Sequence, residues 1–192
     1  MREYAPSASS ALLRSPAAAV KEKPMRVVSI DPAIRKMGYA VLEGDYREAR
    51  ALAYGTLSQP AQRSQSACLL TIFEHLCALI ERWQPDELAI EGIIYVQSYR
   101  TAITMGSARG VAVLAAAHHR LPIMEYPPSC VKLATVGRGG AGKQQVAFMM
   151  RALLHLTETP APDAADALAI GYAHIAASDP LRAHLFRERR PV

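Results

Sequence analysis

Two short apolar runs in this chain each end in a single acid. Arg26-Val-Val-Ser-Ile30 runs into Asp31, and Leu88-Ala-Ile90 runs into Glu91. Both read as buried strands, and a parallel pair of such strands ends in adjacent carboxylates. Charge opposes that arrangement. Carboxylates crowded in a partly dry site repel one another, and their pKa values rise unless a cation is present. Hard divalent ions such as Mg2+ prefer oxygen ligands. A second acidic pair, Asp163 and Asp166, opens a late helix at i and i+3, on one helix face. One acid from each of two strand ends plus that pair is the pattern of a two-metal site with ligands from three elements. Each acid also has a plainer reading. Asp31 before Pro32 caps a turn, Asp163 is an N-cap, and the helix dipole favours an anion at either helical position.

The rest of the chain supplies a frame for these acids. Arg26 to Asp31 is followed by a hairpin, Gly38 to Glu43 and Ala51 to Leu57 around Gly44-Asp-Tyr-Arg47. Residues 66 to 83 form a helix whose Leu69, Phe73, Leu76, Ile80 and Trp83 make one apolar stripe, and Pro85 stops it. Next come a strand from Glu87 to Glu91, a small-residue helix near 101–119, a strand from Pro122 to Tyr126, and helices near 128–135, 143–156 and 163–177. Three strands, helix, strand, helix, strand and helices is the order of the ribonuclease-H-like α/β fold, a mixed five-stranded sheet flanked by helices. The small residues of helix 101–119, Gly106, Ser107, Ala108, Gly110, Ala112 and Ala115 to Ala117, permit close approach of a second helix. That neighbour is either in the same subunit or in a partner.

Composition narrows the function class. At 192 residues and 51% apolar, the chain suits one domain. Its longest apolar run, Val111 to Ala117, falls well short of the roughly 18 residues of a membrane span. Residues 1–24, rich in Ala, Ser and Pro, read as a flexible extension, residues 25–178 as the folded domain that holds the four acids and 179–192 as a basic tail. Glu3 and the lack of an apolar stretch of about 7–15 residues argue against a signal peptide. Cys68, Cys77 and Cys130 have neither C-x-x-C nor zinc-ligand spacing and read as reduced thiols of a cytoplasmic protein. A net charge of +5 suits a polyanionic partner, the more so if four acids are gathered at one place.

Gly137-Arg-Gly-Gly-Ala-Gly142-Lys143 matches the spacing of a phosphate-binding P-loop, but Gln144 stands where the Mg2+-binding hydroxyl belongs and a helix precedes it. A glycine loop presenting Arg138 and Lys143 to a phosphodiester backbone fits better. Lys132, on the helix after Pro127-Pro128, either joins them or sits on a solvated face. His118-His119 closes a helix with no ligand set nearby and reads as a cap or a surface pair.

Taken together, Ile30-Asp31-Pro, Ile90-Glu91, Met105-Gly-Ser-Ala-Arg-Gly-Val-Ala112, Glu125-Tyr126, Val131-Lys132, Val136-Gly137-x-Gly139 with Lys143, and Asp163-Ala-Ala-Asp-Ala-Leu-Ala169 resemble the RuvC family of bacterial Holliday junction resolvases. The resemblance spans about residues 25 to 178. It implies that Asp31, Glu91, Asp163 and Asp166 bind two Mg2+ per subunit, with Mn2+ as a substitute, and cut a DNA strand to leave a 5′-phosphate. It also implies phosphate contacts from Lys132 and Lys143. A homodimer built on the helix carrying Gly106 and Gly110, association with the RuvA and RuvB branch-migration proteins, and a place near the nucleoid follow from the same resemblance. Two departures stand out. Ala33 replaces the usual Gly after Asp-Pro, and Gly92-Ile-Ile94 replaces an acidic or amide residue, Val and the Phe that helps unstack bases. Ile94, Tyr95 and Tyr99 are the substitutes within reach in sequence. The residues alone leave two rivals: another ribonuclease-H-like nuclease acting on RNA or damaged DNA, and a junction-binding protein without cleavage.

Overall fold

The computed structural model describes residues 24–93 and 98–192. The N-terminal extension, apart from Pro24, lies outside the described residues, as do Ile94 and Tyr95. The chain runs β1 (Met25–Asp31), β2 (Lys36–Gly44), β3 (Ala49–Ser58), α1 (Gln65–Trp83), β4 (Glu87–Glu91), α2 (Tyr99–His118), β5 (Ile123–Tyr126), α3 (Pro128–Val136), α4 (Lys143–Leu153) and α5 (Pro162–Ala176). A 3-10 turn (Ala183–Phe186) and β6 (Arg190–Pro191) follow. The sheet order is β3-β2-β1-β4-β5-β6. β1 pairs with β4 and β4 with β5 in parallel, while the β1–β2, β2–β3 and β5–β6 pairs are antiparallel.

The parallel core of this mixed sheet is covered on both faces, which is why β1 and β4 are apolar without alternation. Val28, Ile30, Leu88 and Ile90 face α1 and α2. Val27 and Ala89 face α3, α4 and α5. Each large aliphatic buried here contributes roughly 1.5–3 kcal/mol, so the strands that end in Asp31 and Glu91 are among the most firmly held in the molecule. Two glycines bring α5 down onto the sheet. A Cβ on Gly38 would lie 2.0 Å from the carbonyl oxygen of Asp163, and one on Gly171 would lie 2.6 Å from both Leu42 Cδ1 and Ser29 Oγ. Ser29 Oγ donates to the carbonyl of Ala167 at 2.7 Å, pinning the middle of α5 to β1.

α1 begins at Ser64, whose hydroxyl accepts from Ala67 N–H, and ends at Gln84 in the left-handed region before Pro85. Its buried seam is Cys68, Ile72, Leu76 and Ile80, a run of strict i+4 steps. The seam thus sits one residue off the expected stripe, with Leu69, Phe73 and Trp83 on its flank. On α2 the small residues divide. Ala108, Ala112, Ala115 and Ala116 are buried within the protomer, whereas Gly106 and Gly110 face open space.

The C-terminal residues differ from the expected tail. Phe186 is fully enclosed and stands edge-on to Tyr126, ring centroids 6.2 Å apart, and Arg190 and Pro191 add a sixth strand to the expected five. A two-residue strand has no periodicity to betray it, and Pro191 is tolerated there because the strand lies at the sheet edge. None of the described helices is long and apolar enough to cross a membrane.

Candidate active site at the strand ends

Register and pleat place the first two acids. Ile30 pairs with Ile90, so Asp31 and Glu91 stand at the same level on neighbouring strands. Side chains alternate along a strand. Asp31 therefore shares the face of Val27 and Ser29, and Glu91 that of Ala89, both turned toward α5. The N-terminus of α5 arrives over them because Gly38, opposite Asp31 in the β1–β2 pair, lets the Asp163 backbone approach.

The N-cap of α5 is Ala161, Pro162 occupies the first turn, and no side chain caps the helix. Asp163 is therefore no N-cap. Asp163 and Asp166 lie on one face of the first turns and share an electrostatic environment with the strand acids. Burial, then Asp166, push the Asp31 carboxyl up to about 6. Burial, then Asp31 and Asp166, push Glu91 up to about 7. Asp166 is likewise raised, chiefly by burial.

Two lysines answer this charge. Lys143 Nζ lies 3.5 Å from Asp166 Oδ2, and the acids around it hold the ammonium above its ordinary range. The pair looks favourable from the lysine and unfavourable from the aspartate. The asymmetry is physical: the Lys143 side chain is 73% exposed and pays little desolvation, whereas Asp166 is largely enclosed. Lys132 is partly buried on α3 and acts on both Glu91 and Asp166, so it does not sit on a solvated face. Arg138 is exposed in the loop.

That loop connects helix to helix. Gly137, at φ 73°, closes α3, and Gly142 opens α4, with its N–H donating to Gln145 Oε1 at 3.0 Å. A P-loop requires a strand before the glycines, so nucleotide binding in that mode is ruled out. Tyr99, the first residue of α2, is 92% exposed. His174 is buried in α5 two turns beyond Asp166, shares a 3.0 Å hydrogen bond with the Tyr126 hydroxyl, and is pushed down to about 4, mainly by burial. Its 3.3 Å approach to Glu87 is no ion pair, because a neutral ring carries no charge to pair.

Among the described residues, no three His, Cys, Asp or Glu side chains are gathered at metal-ligand spacing. The chemistry of the four acids nonetheless fits a hard divalent cation: all four donors are carboxylates, and burial, with neighbouring negative charge added, raises Asp31, Glu91 and Asp166, a burden that a dication would relieve.

Comparison with known proteins decides the family. The family model described as crossover junction endodeoxyribonuclease RuvC matches residues 27–174. The chain belongs to the RuvC family. A crossover junction endodeoxyribonuclease RuvC of Akkermansia muciniphila is 63% identical over 165 residues, covering 86% of this chain and 99% of that protein. One of Chloroflexus aggregans is 45% identical over 151 residues, covering 78% and 92%. Thermus thermophilus RuvC in complex with a Holliday junction substrate superimposes with a TM-score of 0.78 at 30% identity, covering 88% of this chain and 99% of that one. The yeast mitochondrial Holliday junction resolvase, at 13% identity and a TM-score of 0.60, shares the fold. RuvC nucleases depend on divalent metal, which accords with the all-oxygen donor set.

Sequence reasoning did not single out Ser29, Gly38 and Gly171 as the residues that seat α5 over the strand ends. Gly38 stood inside the motif Asp31 to Gly38, but only the fold shows what its missing side chain makes room for.

Proposed function

We propose that this RuvC nuclease resolves four-way DNA junctions by paired, symmetric, metal-dependent cuts during homologous recombination and repair. The observation that carries the reading is the register placing Asp31 and Glu91 side by side beneath the first turns of α5. The test uses a labelled four-way junction and a matched linear duplex, each with and without Mg2+. Cleavage of the junction alone, and only with metal, is the expected result. Equal cutting of the duplex would reassign the substrate.

Residues 25–178 carry the nuclease unit. Asp31, Glu91, Asp163 and Asp166 hold the metal, two Mg2+ per subunit, with Mn2+ able to replace it. The bound metal supplies activation of the attacking water and stabilisation of the leaving 3′-oxygen, producing a 5′-phosphate. The chain itself positions the scissile phosphate. Lys132 and Lys143 flank the acids from two different helices, so both meet a backbone laid across the strand ends, with Arg138 as an outer contact. Removing either lysine (Lys132→Ala or Lys143→Ala) should reduce the slope of log affinity against log salt by roughly one unit per lost contact. Fluorescence anisotropy across a salt series measures this, and an unchanged slope in both variants would remove them from the interface.

Opening a junction replaces base stacking with protein contact, at a cost of roughly a few kcal/mol per step. Ile94 has no π-face, whereas Tyr99 holds an exposed ring at the start of α2. Tyr99→Ala should slow single-turnover cleavage several-fold with little loss of binding. Ile94→Phe and Tyr95→Ala, measured beside it, identify which side chain wedges. Rates unchanged in all three would leave this segment without a role in opening. The cytoplasm is the proposed location, the homodimer the proposed assembly, and RuvA and RuvB the proposed partners on DNA.

A further inference from the structure

Glu125 lies on β5 with its carboxylate turned to the α2 side of the sheet, the face opposite the acids, and is only 5% exposed. Two arginines from distant parts of the chain grip it. Arg109 on α2 donates from Nη2 to Oε2, and Arg190 on β6 donates to Oε1 from Nε at 2.9 Å and from Nη2 at 2.7 Å. Burial drives this carboxyl up, but the hydrogen bonds from Arg190 and Arg109 outweigh it and leave the group ionised below its ordinary range. A carboxylate so enclosed is costly to retain without both partners.

The position of this cluster gives it a consequence for cleavage. Ile90 pairs with Glu125 and Glu91 with Tyr126, and the N–H of Gly92 donates to the Tyr126 carbonyl at 2.9 Å. A Cβ on Gly92 would lie 3.1 Å from Glu125 Oε1 and 3.2 Å from its Cγ. The backbone immediately after Glu91 therefore rests on the Glu125 carboxylate. Arg109 ties the same carboxylate to α2, the helix that begins just beyond the segment leaving Glu91. Arg190 belongs to a two-residue strand, so the end of the chain closes the arrangement.

We propose that Glu125, clamped by Arg109 and Arg190, is a positioning residue that sets the direction in which the chain leaves Glu91, and that the C-terminal strand thereby acts on the cleavage step. This rests on the reading of Glu91 as a metal ligand. The test compares Arg190→Ala, Arg190→Lys and Glu125→Gln with the wild type in single-turnover cleavage of a four-way junction across a Mg2+ titration. Arg190 has a 72% exposed side chain on an edge strand, so its replacement removes little buried surface, and thermal unfolding of each variant checks that it is folded. Direct hydrogen-bond partners of ligand side chains are typically worth about tenfold or more in metal affinity or activity, and Glu125 acts one step further off, through the backbone beside Glu91. Arg190→Ala should accordingly raise the Mg2+ midpoint and lower the saturated rate by a few-fold, up to about tenfold, with junction affinity within twofold and Arg190→Lys restoring part of the loss. Glu125→Gln should move the same midpoint in the same direction. A merely structural role would lower the amount of active enzyme without shifting that midpoint, and that result would overturn the proposal. So would an Arg190→Ala variant that binds more weakly but cuts normally at saturation, because it would make Arg190 a DNA contact. Glu91→Gln in the same series separates the failures. If it still cuts, the metal-ligand reading has failed; if it is inactive while Arg190→Ala and Glu125→Gln match wild type, only the clamp has failed.

Discussion

Asp31→Asn should abolish cleavage and at the same time make the metal-free protein more stable at neutral pH. The first effect follows from removing one of four carboxylates assigned to the metal. A loss of at least about a thousandfold corresponds to roughly 4 kcal/mol of barrier, which is within what metal stabilisation of a phosphoryl transition state supplies. The second effect follows from the folded-state pKa values. Asp31 is raised from 3.8 to about 6 and Glu91 from 4.5 to about 7. A carboxyl whose folded pKa exceeds its unfolded one stabilises the fold below the unfolded value, and that contribution disappears as pH rises through the folded value. The metal-free enzyme should therefore lose stability between about pH 4 and 7 and carry the full burden above that window. Asparagine removes the charge while keeping the shape. Allowing for the neighbouring lysines and for solvent screening, the gain is about 1–3 kcal/mol, or several degrees in Tm for a chain of this size. Thermal unfolding of both proteins at pH 5 and pH 8, with and without Mg2+, checks this. The metal should stabilise wild type more than Asp31→Asn, and more strongly at pH 8. A variant destabilised at pH 8 without metal would show that Asp31 is needed for packing and not held there against repulsion.

The same feature made part of the site legible in the sequence. Asp31 and Glu91 announce themselves because an apolar strand cannot end in a lone buried acid without a reason, and an i, i+3 pair of aspartates on a helix shares a face whatever the fold. Hydrophobic periodicity similarly located α1, although the true seam of Cys68, Ile72, Leu76 and Ile80 runs one residue from the expected stripe. On a helix with apolar residues over more than half its circumference, only tertiary contact decides which are innermost. The level of β1 against β4 could not be read, because register is a relation between strands and neither strand carries it alone. The close approach at Gly38 and Gly171 escaped for the same reason. A glycine records that something is near, not what it is. The clamp on Glu125 draws on three segments, one of them the two-residue β6, and no local pattern joins Arg109, Glu125 and Arg190.

If the proposed homodimer forms across α2, Gly110→Leu should yield a folded monomer that no longer makes paired cuts. Along α2 one exposed line runs through Ile103, Gly106, Gly110, Leu114 and Ala117, spaced by steps of three and four. Ile103 is 66% exposed and Leu114 58%, and a Cβ on either glycine meets nothing within the protomer. Water gains nothing from such a stripe, whereas a second helix can lie against its glycines at short range. A four-way junction has two-fold symmetry, and an isologous interface is the simplest way to present two sites to it. A side chain at position 110 starts into open space, and leucine improves intrinsic helix propensity by nearly 1 kcal/mol, so a loss of assembly in a folded variant comes from the interface. In the proposed dimer the leucine side chain would stand between the two helices and remove the close packing that a stable interface of about 1,200 Å2 or more depends on. Sedimentation should report a mass near 20.9 kDa for the variant and twice that for wild type at micromolar concentration. The variant's junction products should be single nicks, with resolved duplexes appearing only slowly, because each cut then requires a separate encounter. A wild-type protein that sediments as a monomer yet resolves junctions by coupled cuts would place the second active site somewhere other than across α2.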